Sequence, residues 1–229
     1  MKQSRFVVAY AGGAAATAAL RAFAASPDTE VVTLTLDLGQ GDTGVIREAA
    51  LAAGAARAHV LDTRDEFARA HLLPALQAGV APGGWRAIVR SLGGALAAAR
   101  LRDIAAIEQA AVSDALSHDV DENLAGRVVT DGNYRLTIEA SRTPDAPAHV
   151  ALGFERGVPV TINDVSLPLT ELLESLAIIA GRHGVGRIEE VEAPAAVVLH
   201  TALRSRRDGV VHLTLFKGTC EEAPELVTQ

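Results

Sequence analysis

A glycine pair, Gly12-Gly13, lies between the short apolar run Phe6 to Tyr10 and an alanine-rich stretch that opens at Ala14. A strand, a tight turn and a helix in that order point backbone N–H groups and a helix N-terminus at one spot, a geometry suited to phosphate. Side chains add little here, because Ala14, Ala15 and Ala16 precede the first hydroxyl, Thr17. Other groupings also carry reactive types. Glu189, Glu190 and Glu192 could bind a metal or act as a base, but so dense a run of carboxylates reads first as a solvated edge. His118, Asp119 and Asp121 make a metal-like trio. Cys220 follows Lys217-Gly218-Thr219, and a nearby ammonium would lower the thiol pKa and make it reactive, although no histidine adjoins it. His183 falls in a glycine-rich helix end, where capping is the expected role.

Elements that would position these residues follow from periodicity. Phe6 to Tyr10 reads as a buried strand and Ala14 to Ala25 as a helix closed by Pro27. Val31 to Leu36 and Ala58 to Leu61 read as strands, Val45 to Ala53 and Arg64 to Ala78 as helices. Alternating β and α elements predict a parallel sheet covered by helices. After a loop at Val80 to Gly84, Leu92 to Val112 is rich in alanine and leucine and is expected to be helical. The pattern changes near Ser113. Strands are expected at Tyr134 to Ala140, Val150 to Phe154 and Val158 to Ile162. A helix capped by Ser166 should then bury Leu169, Leu172, Leu173 and Leu176. Val210 to Phe216 reads as the last strand and Glu221 to Gln229 as an unpaired tail.

Several segments resemble one known family. Ala9-Tyr10-Ala11-Gly12-Gly13-Ala14-Ala15-Ala16-Thr17 is similar to the pyrophosphate loop of the nucleotide-binding ATP pyrophosphatases, whose argininosuccinate synthase version reads Ala-Tyr-Ser-Gly-Gly-Leu-Asp-Thr-Ser. Asp37-Leu38-Gly39-Gln40-Gly41 resembles that family's Asp-Val-Gly-Gln-Gly, and Glu66-Phe67 with Leu73-Pro74-Ala75 its Glu-Glu-Phe and Phe-Pro-Ala pieces. Asp121 to Arg127 is similar to Asp-Glu-Asn-Leu-Trp-Gly-Arg, and Gly153 to Val160 to Gly-Phe-Glu-Lys-Gly-Val-Pro-Val. Ile179 to Ile188 resembles Ile-Ala-Gly-Lys-His-Gly-Val-Gly-Arg-Ile nearly residue for residue. The resemblance to argininosuccinate synthases covers almost the whole chain. It implies two internal absences: the stretch with Gly-Lys-Gly-Asn-Asp-Gln, and the Asn-Arg plus Lys-Ser-Arg-Gly block after the glycine-rich helix end. A C-terminal helix beyond the last strand is also expected to be missing. The implied fold class is α/β: a Rossmann-like parallel-sheet nucleotide-binding domain over residues 1–112, then a reduced α+β synthetase and multimerisation domain over residues 113–229.

The family's reaction, as the resemblance implies, adenylates the citrulline ureido oxygen with ATP before aspartate displaces the adenylate. Ala11, Ala15 and Ala16 stand where its loop has serine, aspartate and threonine, and only Thr17 keeps a hydroxyl. Each lost hydrogen bond removes on the order of 1 to 3 kcal/mol from phosphate or metal binding. Arg90, Gly94 and Ala98 replace the tyrosine, threonine and arginine of the amino-acid pockets, and Asp119 and Val128 the serines flanking Asp-Glu-Asn-Leu. No catalytic residue and no metal ligand is therefore carried over. Three functions remain: a non-catalytic scaffold, an adenylating ligase rebuilt for another substrate around Arg90, His118 and Asp119, or an adenine-nucleotide binder without turnover. Backbone atoms commonly hold adenine in such folds, so ATP or AMP is the candidate ligand, and Ala9, Tyr10, Gly12, Gly13, Thr17, Leu36, Gly39 and Gln40 are the candidate contacts.

Composition narrows the partners. With a net charge of −7 over 229 residues and no basic run, the chain lacks the surface that nucleic acid requires. No segment reaches the ~20 apolar residues of a membrane span. Lys2 and Arg5 ahead of an apolar stretch imitate a secretory leader, but Gly12, Gly13 and Arg21 break that pattern. One cysteine cannot form an internal disulfide and fits the cytoplasm. A homo-oligomer held through the β-rich half and the leucine helix Leu169 to Ala180 is expected, because Val197, Val198, Leu199, Val211, Leu213 and Leu215 have little chain left to cover them once the second domain is shortened, unless that helix folds back over them within one chain.

Overall fold

The computed structural model describes residues 4–80, 84–117, 119–205 and 208–223, so His118 lies outside the described residues. The first part of the chain runs β1 (Ser4–Ala9), α1 (Ala14–Ala24), β2 (Thr29–Asp37), α2 (Thr43–Ala52) and β3 (Arg57–Asp62). Next come α3 (Arg64–Phe67), a π-helical turn (Ala68–Leu72), α4 (Leu73–Ala78), α5 (Gly84–Ser91), α6 (Gly94–Glu108) and β4 (Ala111–Val112). The remainder is β5 (Glu122–Asn123), β6 (Gly126–Val128), β7 (Ala148–Glu155), β8 (Val158–Ile162), β9 (Val165–Ser166), α7 (Leu169–Arg182), β10 (Arg187–Ile188), β11 (Val191–Glu192), α8 (Pro194–Ser205), β12 (Gly209–Phe216) and β13 (Thr219–Glu222). Packing divides the chain into one unit of Met1–Arg64 with Ser91–Val120 and a second of Asp65–Arg90 with Asp121–Gln229.

In the first unit, β-branched and apolar runs form a parallel sheet of order β3-β2-β1-β4. The expected alternation of β and α is thus the α/β layer observed. The chain leaves β1 toward β2 on one side and returns to it through β4 on the other, so strand direction of growth reverses beside β1. Sheets of this kind offer a crevice beyond the carboxyl end of the strand at that switch point. Val8, Tyr10, Leu20, Val31, Ala50 and Leu116 form one buried cluster. At the start of α2, Asp42 accepts hydrogen bonds from the N–H groups of Gly44 and Val45, at 2.9 and 3.2 Å. The expected helix Leu92 to Val112 is too long at both ends. It stops at Glu108, Gln109 turns with φ 50°, and Ala111 and Val112 pair with Phe6 and Val7 because β1 would otherwise present an open edge there.

The second unit holds two antiparallel sheets, of order β10-β11-β6-β5 and β13-β12-β7-β8-β9. Along β12, Val211, Leu213 and Leu215 face inward and are buried, and α8 packs against β12, β13 and α7. This overturns the expected uncovered apolar surface. Val197, Val198 and Leu199 lie in α8, which Pro194 opens, and Val198 and Leu199 are buried inside the same chain. Helix α8 thus supplies, within the same chain, cover for the apolar face of β12.

Other expectations shift for local reasons. Tyr134 to Ala140 is not a strand; the backbone N–H groups of Arg135, Leu136 and Thr137 turn to the Glu192 carboxylate instead of to a neighbouring strand. Ser166 belongs to β9 and does not cap α7, whose N-cap is Pro168. Glu221 and Glu222 are paired in β13 opposite Thr214 and Leu213. Where Arg64 to Ala78 was expected as one helix, the run is interrupted by the π-turn just before Pro74, whose ring and missing N–H disfavour a regular helical turn ahead of it.

Candidate functional site

The glycine turn follows β1 at the switch point of the first unit. Gly12 and Gly13 take φ 81° and 86°, values open to glycine and strained for other residues, so the turn needs both. Helix α1 starts at Ala14, and its N-cap Gly13 offers no side-chain cap. Thr17 donates its hydroxyl proton to the Gly13 carbonyl at 2.7 Å. The Tyr10 hydroxyl lies 2.6 Å from the Thr17 oxygen and, with that proton already committed, is the donor of the pair. Tyr10 itself is buried. The Thr17 hydroxyl proton is thus spent within the turn itself.

The second turn is closed on itself. Gln40 donates its amide to the Leu36 carbonyl at 2.5 Å and accepts from the Leu38 N–H at 2.7 Å. Gly39 donates its N–H to Asp37 at 2.9 Å. Three expected contacts, Leu36, Gly39 and Gln40, are therefore engaged within one turn. Ala9, Tyr10 and Leu36 do come together, lining a cavity with Leu38, Leu101 and Val120 of about 20 Å³. That volume suits about one water molecule, whereas ligand pockets span roughly 300 to 1,000 Å³. Gly12, Gly13, Thr17, Gly39 and Gln40 do not line it.

The remaining groups separate by environment. Arg90 pairs with Asp121 at 2.6 Å, Glu190 with Arg86 at 3.0 Å, and Asp119 is exposed. Among the described residues no three His, Cys, Asp or Glu side chains form a metal-binding group. His183 caps α7, with its Nδ1 3.0 Å from the Ile179 carbonyl. The reactive-thiol reading of Cys220 fails: burial pushes its pKa up to about 11, and Lys217 directs its ammonium to Asp145 at 2.8 Å and the Thr143 carbonyl at 3.0 Å. Glu192 is no solvated carboxylate. It is fully buried, and its oxygens accept from the N–H groups of Arg135, Leu136 and Thr137, from the Thr137 hydroxyl and from Arg127. The signal for this was its apolar flank, Val191 and Ala193 to Val198, which sets it apart from Glu189 and Glu190.

Residues 5–122 match the family described as Arginosuccinate synthase N-terminal HUP domain, and residues 106–206 the Arginosuccinate synthase C-terminal domain. The chain belongs to the argininosuccinate synthase family. It is 28% identical to the argininosuccinate synthases of Bacillus cereus (strain Q1) and Bacillus thuringiensis (strain Al Hakam), over 98% of this chain and 75% of each relative. The aligned region spans 305 positions, more than the 229 residues of the chain, so internal stretches of the relatives have no counterpart here. The first unit's parallel sheet is accordingly the HUP layer of this family, and the glycine turn Ala9 to Thr17 lies within the matched N-terminal domain. Among the described residues no helix is long and apolar enough to cross a membrane.

Proposed function

We propose that this member of the argininosuccinate synthase family has lost ATP-dependent ligation of citrulline and aspartate and acts as a non-catalytic binding or scaffold protein. The observation that carries the reading is the fate of Thr17. Its hydroxyl is the last polar group of the phosphate turn, and its single proton is held by the Gly13 carbonyl at 2.7 Å. A triphosphate reaching this turn meets backbone N–H groups alone. Without the lost side-chain donors, affinity falls by on the order of 1 to 3 kcal/mol for each missing bond. The cavity at Ala9, Tyr10 and Leu36 adds support, since its volume of about 20 Å³ is too small for an adenine ring.

The test is a pyrophosphate-release assay with citrulline, aspartate, ATP and magnesium, beside calorimetric titrations of ATP and AMP. The expected result is no citrulline-dependent release above a blank without protein, and ATP binding no tighter than AMP. Citrulline-dependent turnover would overturn the proposal. So would pyrophosphate release driven by another substrate, which would establish a rebuilt adenylating ligase instead.

A further inference from the structure

In the second unit of this acidic chain, several arginines gather beside the C-terminal turns of α7. A groove of about 620 Å³ is lined by Arg135, Arg142, Arg182 and Arg187 together with Tyr134 and Ile178. Four guanidinium groups on one groove run against a net charge of −7. Arg135 is neutralised by Glu122 at 2.5 Å. Among the described residues, Arg142, Arg182 and Arg187 have no carboxylate in an ion pair with them. Arg187 is held by the face of Tyr134, its guanidinium carbon 3.6 Å from the ring centroid, and Tyr134 is pinned by donating to the Glu189 carbonyl at 2.8 Å. Stacking uses the flat face of a guanidinium and leaves its N–H edge for an oxyanion.

The wall opposite is fixed as firmly. Gly181 permits the close approach, because a Cβ there would collide with the Leu136 carbonyl oxygen, and Ile138 donates to the Gly181 carbonyl at 2.9 Å. Glu192 holds the next N–H groups of that segment from behind. Ile178, 58% exposed, and Ile138, 40% exposed, give the groove an apolar flank. Glu139 is the one carboxylate among the lining residues.

We infer that this groove is a binding site for a small organic oxyanion, a phosphate ester or carboxylate with an apolar body, gripped by Arg182 and Arg187 and flanked by Ile178. It is independent of the phosphate turn of the first unit and of whether ligation has been lost. Guanidinium forks fit both carboxylate and phosphate, so the two ligand sources are separated by experiment.

Calorimetry on the full chain with phenyl phosphate, phenylacetate and neutral benzyl alcohol tests it. Saturable binding of at least one anion at millimolar concentration or below, with none for benzyl alcohol, is expected. Tighter phenyl phosphate assigns a phosphate ester, and tighter phenylacetate a carboxylate. Arg182→Gln and Arg187→Gln should each weaken the bound anion roughly tenfold, the loss of one charge-assisted hydrogen bond. Arg182 is exposed at the end of α7, so its variant should melt like the parent and report on binding alone. No saturable binding of either anion, or binding that Arg182→Gln leaves unchanged, would overturn the assignment.

Discussion

Glu192 accepts two hydrogen bonds from Thr137 at one carboxylate oxygen, from the backbone N–H and from the hydroxyl, each at 2.8 Å. The same oxygen takes the Leu136 N–H at 2.8 Å, while the other takes the Arg135 N–H at 3.0 Å and Arg127 at 3.4 Å. A buried carboxylate is tolerable only when donors replace its water, and here main chain and side chain do so together. Glu192→Ala leaves these donors unpaired, with an expected cost of about 3 to 5 kcal/mol. Glu192→Gln should be intermediate, because one of its two positions becomes a donor facing donors. Urea unfolding of the three proteins measures this order; a neutral Glu192→Ala would mean that water replaces the carboxylate without loss.

A second carboxylate ties the two ends of the first unit's helices and strands. Glu108 is nearly buried at the end of α6, with one oxygen 2.8 Å from His59 Nε2 and the other 2.5 Å from Arg57. Arg5 donates to the Glu108 backbone carbonyl at 2.8 Å and pairs with Glu30 at 3.0 Å. The hydrogen bond from His59 and then the charge of Arg57 hold the Glu108 carboxyl below its ordinary 4.5, against the opposing effect of burial. A pKa depressed by folding contributes stability above the unfolded value and loses it as pH falls through the folded one. Stability should therefore decline as pH drops below 4.5. Glu108→Gln should flatten that part of the profile and cost on the order of 1 to 3 kcal/mol at neutral pH. Urea midpoints between neutral and acid pH check both effects; an unchanged acid slope in Glu108→Gln would remove Glu108 as its source.

Cys220 should be slow to alkylate. Its thiol, on β13, is desolvated beside the Thr201 side chain, and a pKa raised from 9.0 to about 11 lowers the thiolate fraction at neutral pH about a hundredfold. Iodoacetamide labelling followed by mass spectrometry should show this lag against a free thiol, and unfolding in urea should abolish it. Equal rates in folded and unfolded protein would contradict the burial of the sulfur.

The first unit was largely legible in the sequence, because strands such as Phe6 to Tyr10 and Val31 to Leu36 are short apolar runs cut by glycine or proline, and helices between them force parallel pairing. The glycine turn after β1 was legible for the same reason: two adjacent glycines admit few other conformations. What escaped depended on distant partners. Nothing local marks Arg135, Leu136 and Thr137 as ligands of a glutamate more than fifty residues away. Nor does local pattern reveal that Gln40 folds back onto Leu36, which changes a candidate nucleotide contact into a turn-closing amide. The groove arginines are likewise scattered from position 135 to 187 and converge only because Gly181 lets the segment at Leu136 approach α7.

Leu172 and Leu213 carry the final prediction. If they lay on a surface covered by a second copy, Leu172→Asp or Leu213→Asp would give a folded, dissociated chain. Both side chains are instead buried within one chain, at 0% and 1% exposure, beneath the packing of α7 and α8 on the antiparallel sheet. An aspartate there has no donor to replace its water, and the lost leucine contacts add about 2 to 5 kcal/mol on their own. That sum reaches or exceeds the stability of many single domains, roughly 5 to 15 kcal/mol. The expected outcome is therefore loss of the cooperative melting transition by circular dichroism, with aggregation in light scattering. Phe216→Asp, on the outward face of β12 and 37% exposed, serves as the control and should melt within a few degrees of the parent. A Leu213→Asp protein that still melted cooperatively would show that this face is not covered from within the chain.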